Sequence, residues 1–344
     1  MTGTPRDVVA DLREIAYLLE RTAAATPKVK AFRNAANVVE AMDARELEER
    51  VESRTLTKIS GIGDSTATAI TESLAGKRPS YFDKVEADLP PEAPPTKMQQ
   101  ALRGDLHMHS DWSDGGSPIE EMMQAAKDHG HEYVALTDHS PRLTVARGLT
   151  AERLREQIKI VRRLNEEMAP FRILTGIEVD ILDDGTLDQS DELLAALDIV
   201  VASVHSRLRM PAEQMTRRML AAVTNPHVDV LGHCTGRLIT GNRRRPESQF
   251  DAEAVFTACA RHGVAVEINS RPERLDPPKW LLRRAVEAGC LLSIDSDAHA
   301  PGQLDWQRYG CEHAAACGVP VKQVVNTWSI DELLSWTAAR AVMQ

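Results

Sequence analysis

Residues 104–116 read GDLHMHSDWSDGG. His107 and His109 stand one residue apart behind the apolar Leu106, and Asp114 follows in a stretch rich in glycine and serine. Alternate side chains of a strand project to the same face. This spacing therefore presents two imidazoles together, which a solvated surface does not need and a metal ion does. The pattern returns at the end of one short apolar run after another: Asp138 and His139 in TDHS, Glu178 in GIEVD, His205 in SVHS, His233 in GHCTGR, Glu267 in EINSR, Asp297 and His299 in DSDAH. Six of the eleven histidines stand at such ends, too many to be independent structural hydrogen-bonders, so the pattern predicts a polynuclear metal site. Mixed imidazole and carboxylate donors suit Zn2+, Mn2+ or Fe2+ rather than Ca2+ or Mg2+ alone. His129, His131, His227, His262 and His313 fall in helix or loop contexts and read as surface or packing residues. Cys234 adjoins His233, but alternation turns it to the opposite face, toward the core.

The elements that would carry these groups are legible from periodicity. EYVALTDH, RILTGIEVDI, LDIVVASVHS, VDVLGHC, GVAVEINS and CLLSIDSDAH alternate with amphipathic stretches such as PIEEMMQAAKDHG and ERLREQIKIVRRLNEEM. Strands separated by helices pair in parallel. Six or more such units within residues 101–344 predict a barrel near the (β/α)8 type, whose functional groups gather at the C-terminal strand ends. Ahead of it, residues 89–97 read LPPEAPPTK. Four prolines there favour an extended spacer, so the domain boundary falls in a linker over 89–100. Residues 1–88 read as all-helical, with Val8, Val9, Leu12, Ile15, Leu18 and Leu19 at helical spacing. Within them, Gly61-Ile62-Gly63 predicts a tight turn before a helix capped by Asp64 or Ser65. Backbone N–H groups at such a helix start form a phosphate cradle, the helix-hairpin-helix device for holding a DNA backbone without reading bases; the alternative for these residues alone is a helical corner that merely packs.

A chain of 344 residues with 42% hydrophobic content suits one large domain plus a small one. No apolar run reaches membrane-spanning length, and the N-terminus MTGTPRDVVADL lacks a signal-peptide core, so a cytoplasmic protein with no membrane partner is expected. Five cysteines form no paired-spacing motif and read as reduced thiols. The formal charge of −10 argues mildly against a general nucleic-acid coat; metal-coordinating carboxylates contribute to that count.

Over 101–344, the series DLHMHS, TDHS, an isolated Glu on a middle strand, two single histidines and a terminal DSDAH resembles the polymerase-and-histidinol-phosphatase (PHP) domain. The likeness is greatest to the C-terminal PHP domain of bacterial family X DNA polymerases, through SVHSR, GHCTGR and EINSRPERLD. The resemblance implies a distorted (β/α)7 barrel with three divalent metal ions, zinc or manganese among them. It implies one metal at His107, His109, Glu178 and Asp297, a second at Glu178, His205 and His233, and a third at Asp114, His139 and His299. Some members carry His where Asp114 stands. Glu267 and Asn269 have no ligand role in the pattern, and Asp138 would orient its neighbours. The front segment, with PKVKAFRNAANVVEAM and KISGIGDSTATAITESL, resembles the small N-terminal DNA-binding domain of the same polymerases. Gly61, Gly63, Lys28 and Lys58 would be its DNA contacts, with Lys30 and Arg33 further candidates. Ala69 stands where some members carry a Schiff-base lysine, which puts lyase chemistry in doubt. The nucleotidyl-transfer domain that those polymerases place between the two parts is missing, so no DNA synthesis is expected.

Clustered metals without an evident Ser or Cys nucleophile imply hydrolysis by metal-activated water, with Glu178, His107, His109 and Asp297 at its centre. Arginines near the strand ends are candidates to grip phosphate, Arg207 and Arg237 ahead of Arg142, Arg147 and Arg271. The triplet Arg243, Arg244 and Arg245 would form a loop rim or a solvated charge run. The expected activity is hydrolysis of DNA phosphoesters in DNA repair, as a 3'-5' exonuclease, 3'-phosphatase or abasic-site endonuclease. The alternatives are a phosphomonoesterase of phosphorylated small molecules, of the histidinol phosphatase kind, and a DNA-bound scaffold with a structural metal barrel.

Overall fold

The helical periodicity of the front segment becomes five helices in the computed structural model, which describes residues 4–91, 93–240 and 244–342. The chain divides into two compact units, Met1–Ala93 and Pro94–Gln344. In the first, α1 (Val8–Arg21), α2 (Thr26–Glu40), α3 (Ala44–Glu52), α4 (Asp64–Leu74) and α5 (Tyr81–Glu86) enclose a core that includes Leu12, Ile15, Phe32, Ala35, Ile70 and Phe82. Asp7 starts α1 by accepting from Ala10 N at 2.9 Å, which satisfies one orphan donor of the first turn. The cap of α4 is Gly63, not Asp64 or Ser65. Those two are already inside the first turn, and the Thr66 hydroxyl closes the end by bonding both the N–H and the C=O of Gly63 at 2.9 Å. Gly61 has φ +93°, a conformation that favours glycine.

The expected spacer over 89–100 is shorter than its proline content suggested. Prolines stop at Pro95, and Thr96 accepts from Gln99 N to cap a short helix, α6 (Lys97–Ala101).

The second unit then runs β1 (Gly104–Met108), α7 (Ile119–Asp128), β2 (Tyr133–Leu136), α8 (Ala151–Met168), β3 (Arg172–Asp180), α9 (Asp191–Leu194), β4 (Ile199–Ser203), α10 (Ala212–Val223), β5 (Val230–Leu231), α11 (Ala252–His262), β6 (Ala265–Asn269), α12 (Lys279–Glu287) and β7 (Leu292–Asp295), followed by α13 (Gln307–Ala316) and α14 (Ile330–Val342). All seven strands are parallel and pair in sequence order. The last nearly closes on the first: Asp297 N donates to His107 O at 2.9 Å and His109 N to Ala298 O at 2.8 Å. This is the expected seven-stranded PHP-type barrel. One departure from plain alternation lies in the opening stretch. The pairing of β1 with β2 slips between Asp105 and Met108, so a bulge re-aims the strand where its histidines begin.

Tyr133, Leu174, Ile199, Val201, Val230 and Ala265, mostly at strand starts, pack with Val325 and Leu333 and fill one end of the barrel. The other end is left to polar groups. The filled end is fastened by Arg340 of α14, which is buried beside Asp229 at 3.3 Å and donates to the carbonyls of Val228 and His262. Removing one partner of a buried ion pair leaves an uncompensated charge. Arg340→Met is therefore expected to destabilise the barrel by about 3 kcal/mol or more, read from its denaturant transition, and adding Asp229→Asn should recover part of the loss.

Candidate metal centre

Every strand of the barrel delivers a polar group to the open end, and the groups meet around one carboxylate. Glu178, near the end of β3 and 1% exposed, has five imidazoles about it. His139 Nδ1 and His233 Nε2 lie at 2.8 Å, His205 Nε2 at 3.3 Å, His107 Nε2 at 3.4 Å and His109 Nε2 at 3.6 Å from its oxygens. Asp297 Oδ1 stands 3.4 Å from His109 Nε2 and 4.0 Å from His107 Nε2. Asp114 Oδ1 is 3.3 Å from His299 Nε2 and 3.4 Å from His139 Nε2. All nine residues expected as ligands are thus brought together. Their grouping is more interleaved than the resemblance implied. The atoms converge as His107, His109 and Asp297; as His139, Glu178 and His205; and as His109, Asp114, His139 and His299. His109 and His139 each stand in two groups, and His233 enters through Glu178.

Burial is graded through the cluster. His107, His109, Glu178 and His233 are buried, whereas Asp114 has a 39% exposed side chain. The electrostatics follow. Burial opposes ionisation of Glu178, yet the imidazoles of His205, His107 and His139 hold its carboxyl well below the usual range. Burial likewise opposes the charge on Asp297, overcome by Arg271 and His107. His109 is driven well below its ordinary value by burial and by His299 and His139, and burial with Arg274 takes His233 down to about 4. His107 and His205 go the other way: burial is outweighed by Glu267 and Glu178 at His107, which is raised well above its ordinary value, and by Glu178 and Asp180 at His205, which is raised to about 9. A metal ion takes neutral imidazoles, so binding one here would displace the protons of these two.

The outer hydrogen bonds fix which ring nitrogen faces inward. His107 Nδ1 bonds Glu267 Oε1 at 2.6 Å, and His205 Nδ1 bonds Asp180 Oδ1 at 2.8 Å. His299 Nδ1 lies 2.9 Å from Asp297 O. Arg271 Nη1, which can only donate, stands 2.9 Å from that nitrogen and 3.3 Å from the same carbonyl, so the tautomer of His299 is set by which of the two contacts its Nδ1 makes. The Nδ1 of His107 and of His205 then carries the proton, and the Nε2 of each keeps its lone pair. His107 Nε2, both nitrogens of His109 and Glu178 Oε2 are buried without a hydrogen-bond partner. Buried polar atoms are normally satisfied, and this convergent set fits divalent metal ions. Glu267 thus has a part that the ligand pattern missed. It holds His107, accepts from His233 N and is approached by Asn269 Nδ2 at 3.3 Å. Asp138 orients chain rather than imidazole: it accepts from Ser110 N, Ser110 Oγ and Gln157 Nε2, fixing the loop that bears Asp114. Asp297, at φ +52°, presents its carboxylate to His109 from the left-handed region.

The arginines differ from expectation. Arg207 is exposed and pairs with Asp183 at 3.0 Å. Arg237 donates to the carbonyls of Arg274 and Leu275, so it braces a loop instead of facing the cluster. Arg147 is spent on the carbonyls of Asp111 and Ser113. Arg271 and Arg274 are the guanidinium groups at the cluster, with Arg271 Nη1 3.6 Å and Arg274 Nε 3.7 Å from Asp297 oxygens. Arg274 Nε is buried with no hydrogen-bond partner. It was missed because its backbone lies five residues beyond the end of β6 at Asn269; the signal was its place in RPERLD. Arg243 of the arginine triplet lies outside the described residues.

In the helical unit, Gly61, Gly63, Lys28 and Lys58 are all exposed. A Cβ on Gly63 would meet nothing within 4 Å. Arg33 is engaged by Glu20 at 3.0 Å. Ala69 is buried, and the only amine around the shallow pocket it lines is Lys84.

Comparison with known proteins agrees with this geometry. Residues 105–271 match the PHP domain family and residues 4–79 a helix-hairpin-helix domain family. The "DNA polymerase/3'-5' exonuclease PolX" of Bacillus subtilis (strain 168) is 44% identical over 232 residues, 67% of this chain and 40% of that protein. A "Probable phosphatase" of Thermoanaerobacter sp. (strain X514) is 32% identical over 65% of this chain and 89% of its own length. The "Probable phosphatase YcdX" of Escherichia coli O139:H28 is 30% identical over 69% of this chain and 95% of its own. The histidinol phosphate phosphatase structure from Lactococcus lactis, complexed with zinc, L-histidinol and phosphate, aligns with TM-score 0.47 at 18% identity, over 64% of this chain and 95% of that one. The protein is a metal-dependent hydrolase of phosphate esters. It belongs to the PHP domain family and carries a helix-hairpin-helix unit ahead of the barrel.

Orientation of the ligands by Glu267 is directly testable. Glu267→Ala should lower metal affinity about 10- to 100-fold with the fold retained, measured by competition against a chelating indicator; Glu267→Gln, whose amide oxygen still accepts, should lose less.

Proposed function

We propose that this protein hydrolyses phosphoester bonds at DNA ends or abasic sites in DNA repair, as a 3'-5' exonuclease, 3'-phosphatase or abasic-site endonuclease. The observation that carries this reading is the union in one chain of a convergent phosphoesterase cluster and a helix-hairpin-helix unit whose Gly63 opens onto free space. The B. subtilis relative named a 3'-5' exonuclease supports it, although the chain spans 40% of that protein's length. Phosphatase-named relatives matched over 89–95% of their length favour a second reading, a phosphomonoesterase acting on a small molecule.

In the mechanism we propose, His107, His109, Asp114, His139, Glu178, His205, His233, Asp297 and His299 hold three divalent ions, of zinc, manganese or iron. Such ions acidify water and offset the charge that builds on phosphate oxygens. Glu178, central among the imidazoles, sets the spacing of the group, with His107, His109 and Asp297 at the reacting centre. Arg274, with a free Nε beside Asp297, and Arg271 next to it receive the phosphate oxygens, a task that suits a guanidinium fork. Arg237 acts behind them by holding the backbone of Arg274. The first-turn N–H groups of α4 and the exposed Lys28 and Lys58 would hold the DNA backbone. A cytoplasmic setting is supported by five free, buried cysteines and by the lack of any helix, among the described residues, long and apolar enough to cross a membrane.

Full-length protein loaded with Mn2+ should trim DNA 3' ends; brisk turnover of histidinol phosphate with DNA untouched would establish the second reading instead. Arg274→Ala should cost about 100-fold or more in kcat on DNA and on a chromogenic phosphate ester alike, and wild-type rates in that variant would remove Arg274 from the site. Gly63 has φ −100°, open to any residue. Gly63→Leu should accordingly change stability by under about 1 kcal/mol, raise KM for DNA ends and leave the small ester unaffected.

A further inference from the structure

The reading as a DNA-end hydrolase leaves one exposed feature near the arginine loop unused. The segment that follows β6 carries Arg271 and Arg274 at the cluster, then runs through Pro277 and Pro278 into α12. The second residue of that helix is Trp280, with 54% of its surface exposed. Among the described residues it is the only exposed tryptophan of the chain's five. Its neighbours are cations. Lys279 precedes it, and Arg283 and Arg284 follow at the three- and four-residue spacing that shares a helix face; all three are exposed. The apolar side of the helix, Leu281, Leu282 and Ala285, is turned into the barrel core. The cations also converge with the loop that braces Arg274. Buried His313, bonded to Pro277 O at 2.8 Å, is held below its ordinary value first by burial and then by Arg237, Lys279 and Arg283.

We propose that Trp280 with Lys279, Arg283 and Arg284 forms a shelf for the single-stranded segment of the DNA substrate, one base stacking on the indole and the flanking phosphates pairing with the cations. This rests on the DNA-hydrolase reading and names how the same site selects a strand over a small ester. An indole ringed by positive charge is the combination by which proteins hold single strands without reading sequence. It is a poor self-association surface, because a two-fold contact would bring two sets of like charges together. Trp280 lies six positions after Arg274, a span of at most about 20 Å even if fully extended, so a strand whose terminal phosphate meets Arg274 has its next nucleotides within reach of the shelf.

The test compares wild-type, Trp280→Ala and Trp280→Phe full-length protein, loaded with Mn2+. Each is assayed on a twelve-nucleotide oligothymidylate and on a chromogenic phosphate ester, and for anisotropy of a labelled phosphorothioate oligothymidylate that resists cleavage. Trp280→Ala should weaken oligonucleotide binding and raise KM for trimming by about tenfold, the effect of one lost base stack, with ester turnover at the wild-type rate and Trp280→Phe close to wild type. Lys279→Glu with Arg283→Glu should flatten the salt dependence of binding. Equal oligonucleotide affinity in Trp280→Ala and wild type, while wild type trims DNA, overturns the shelf alone. So does a loss that falls equally on the ester, or a change in sedimentation without a change in DNA affinity. A wild-type protein that neither binds nor trims the oligonucleotide overturns the shelf together with the hydrolase reading.

Discussion

A carboxylate buried in a barrel interior is costly unless positive charge or hydrogen-bond donors compensate it, and Glu178 is buried with two oxygens and five imidazoles around it. The rest of the open end is arranged around this constraint. Each strand that reaches the mouth contributes a ring or a carboxylate within contact of Glu178 or of a group touching it. The unsatisfied atoms left over, on His107, His109 and Glu178, converge on one space. A fold stabilised only by its own contacts would not leave so many buried polar atoms unpaired in one place; a fold completed by divalent cations would.

The same logic explains the layer outside the ligands. Glu267 and Asp180 each receive an Nδ1 proton, which turns the Nε2 lone pairs of His107 and His205 inward. Asp138 pins the loop of Asp114 through Ser110. The gradient from fully buried His107 to half-exposed Asp114 gives the cluster an inner floor and an outer rim, and the rim is where a phosphate would arrive past Arg271 and Arg274.

Much of this was legible in the chain. Ligands at strand ends announce themselves because a parallel barrel gathers those ends in one place, whatever the sequence distance between them. The convergence of the nine residues and the seven-stranded architecture were therefore readable from periodicity and resemblance. Less readable was anything decided by side-chain direction. Arg237, adjacent to GHCTG, looks like a phosphate contact in sequence, yet its guanidinium turns to the carbonyls of Arg274 and Leu275. Arg274, remote from any strand end, curls back to Asp297. Glu267 looked idle because a ligand pattern does not register a carboxylate that holds a ligand's far nitrogen. The cap of α4 moved to Gly63 because Thr66 could bond both backbone groups of that residue, a choice that no single-residue preference reveals.

The helical unit and the barrel pose one functional question between them, whether the phosphate acted on belongs to a polymer or to a metabolite; the chemistry at the mouth is common to both. That chemistry requires cations around Glu178, and anomalous diffraction from crystals equilibrated with Mn2+ tests it most directly. The account predicts strong peaks between Glu178 and the Nε2 atoms of His107, His109, His205 and His233, with a weaker one beside Asp114. An empty map at Glu178, or peaks confined to surface carboxylates while these imidazoles keep their direct contacts to Glu178, would contradict it.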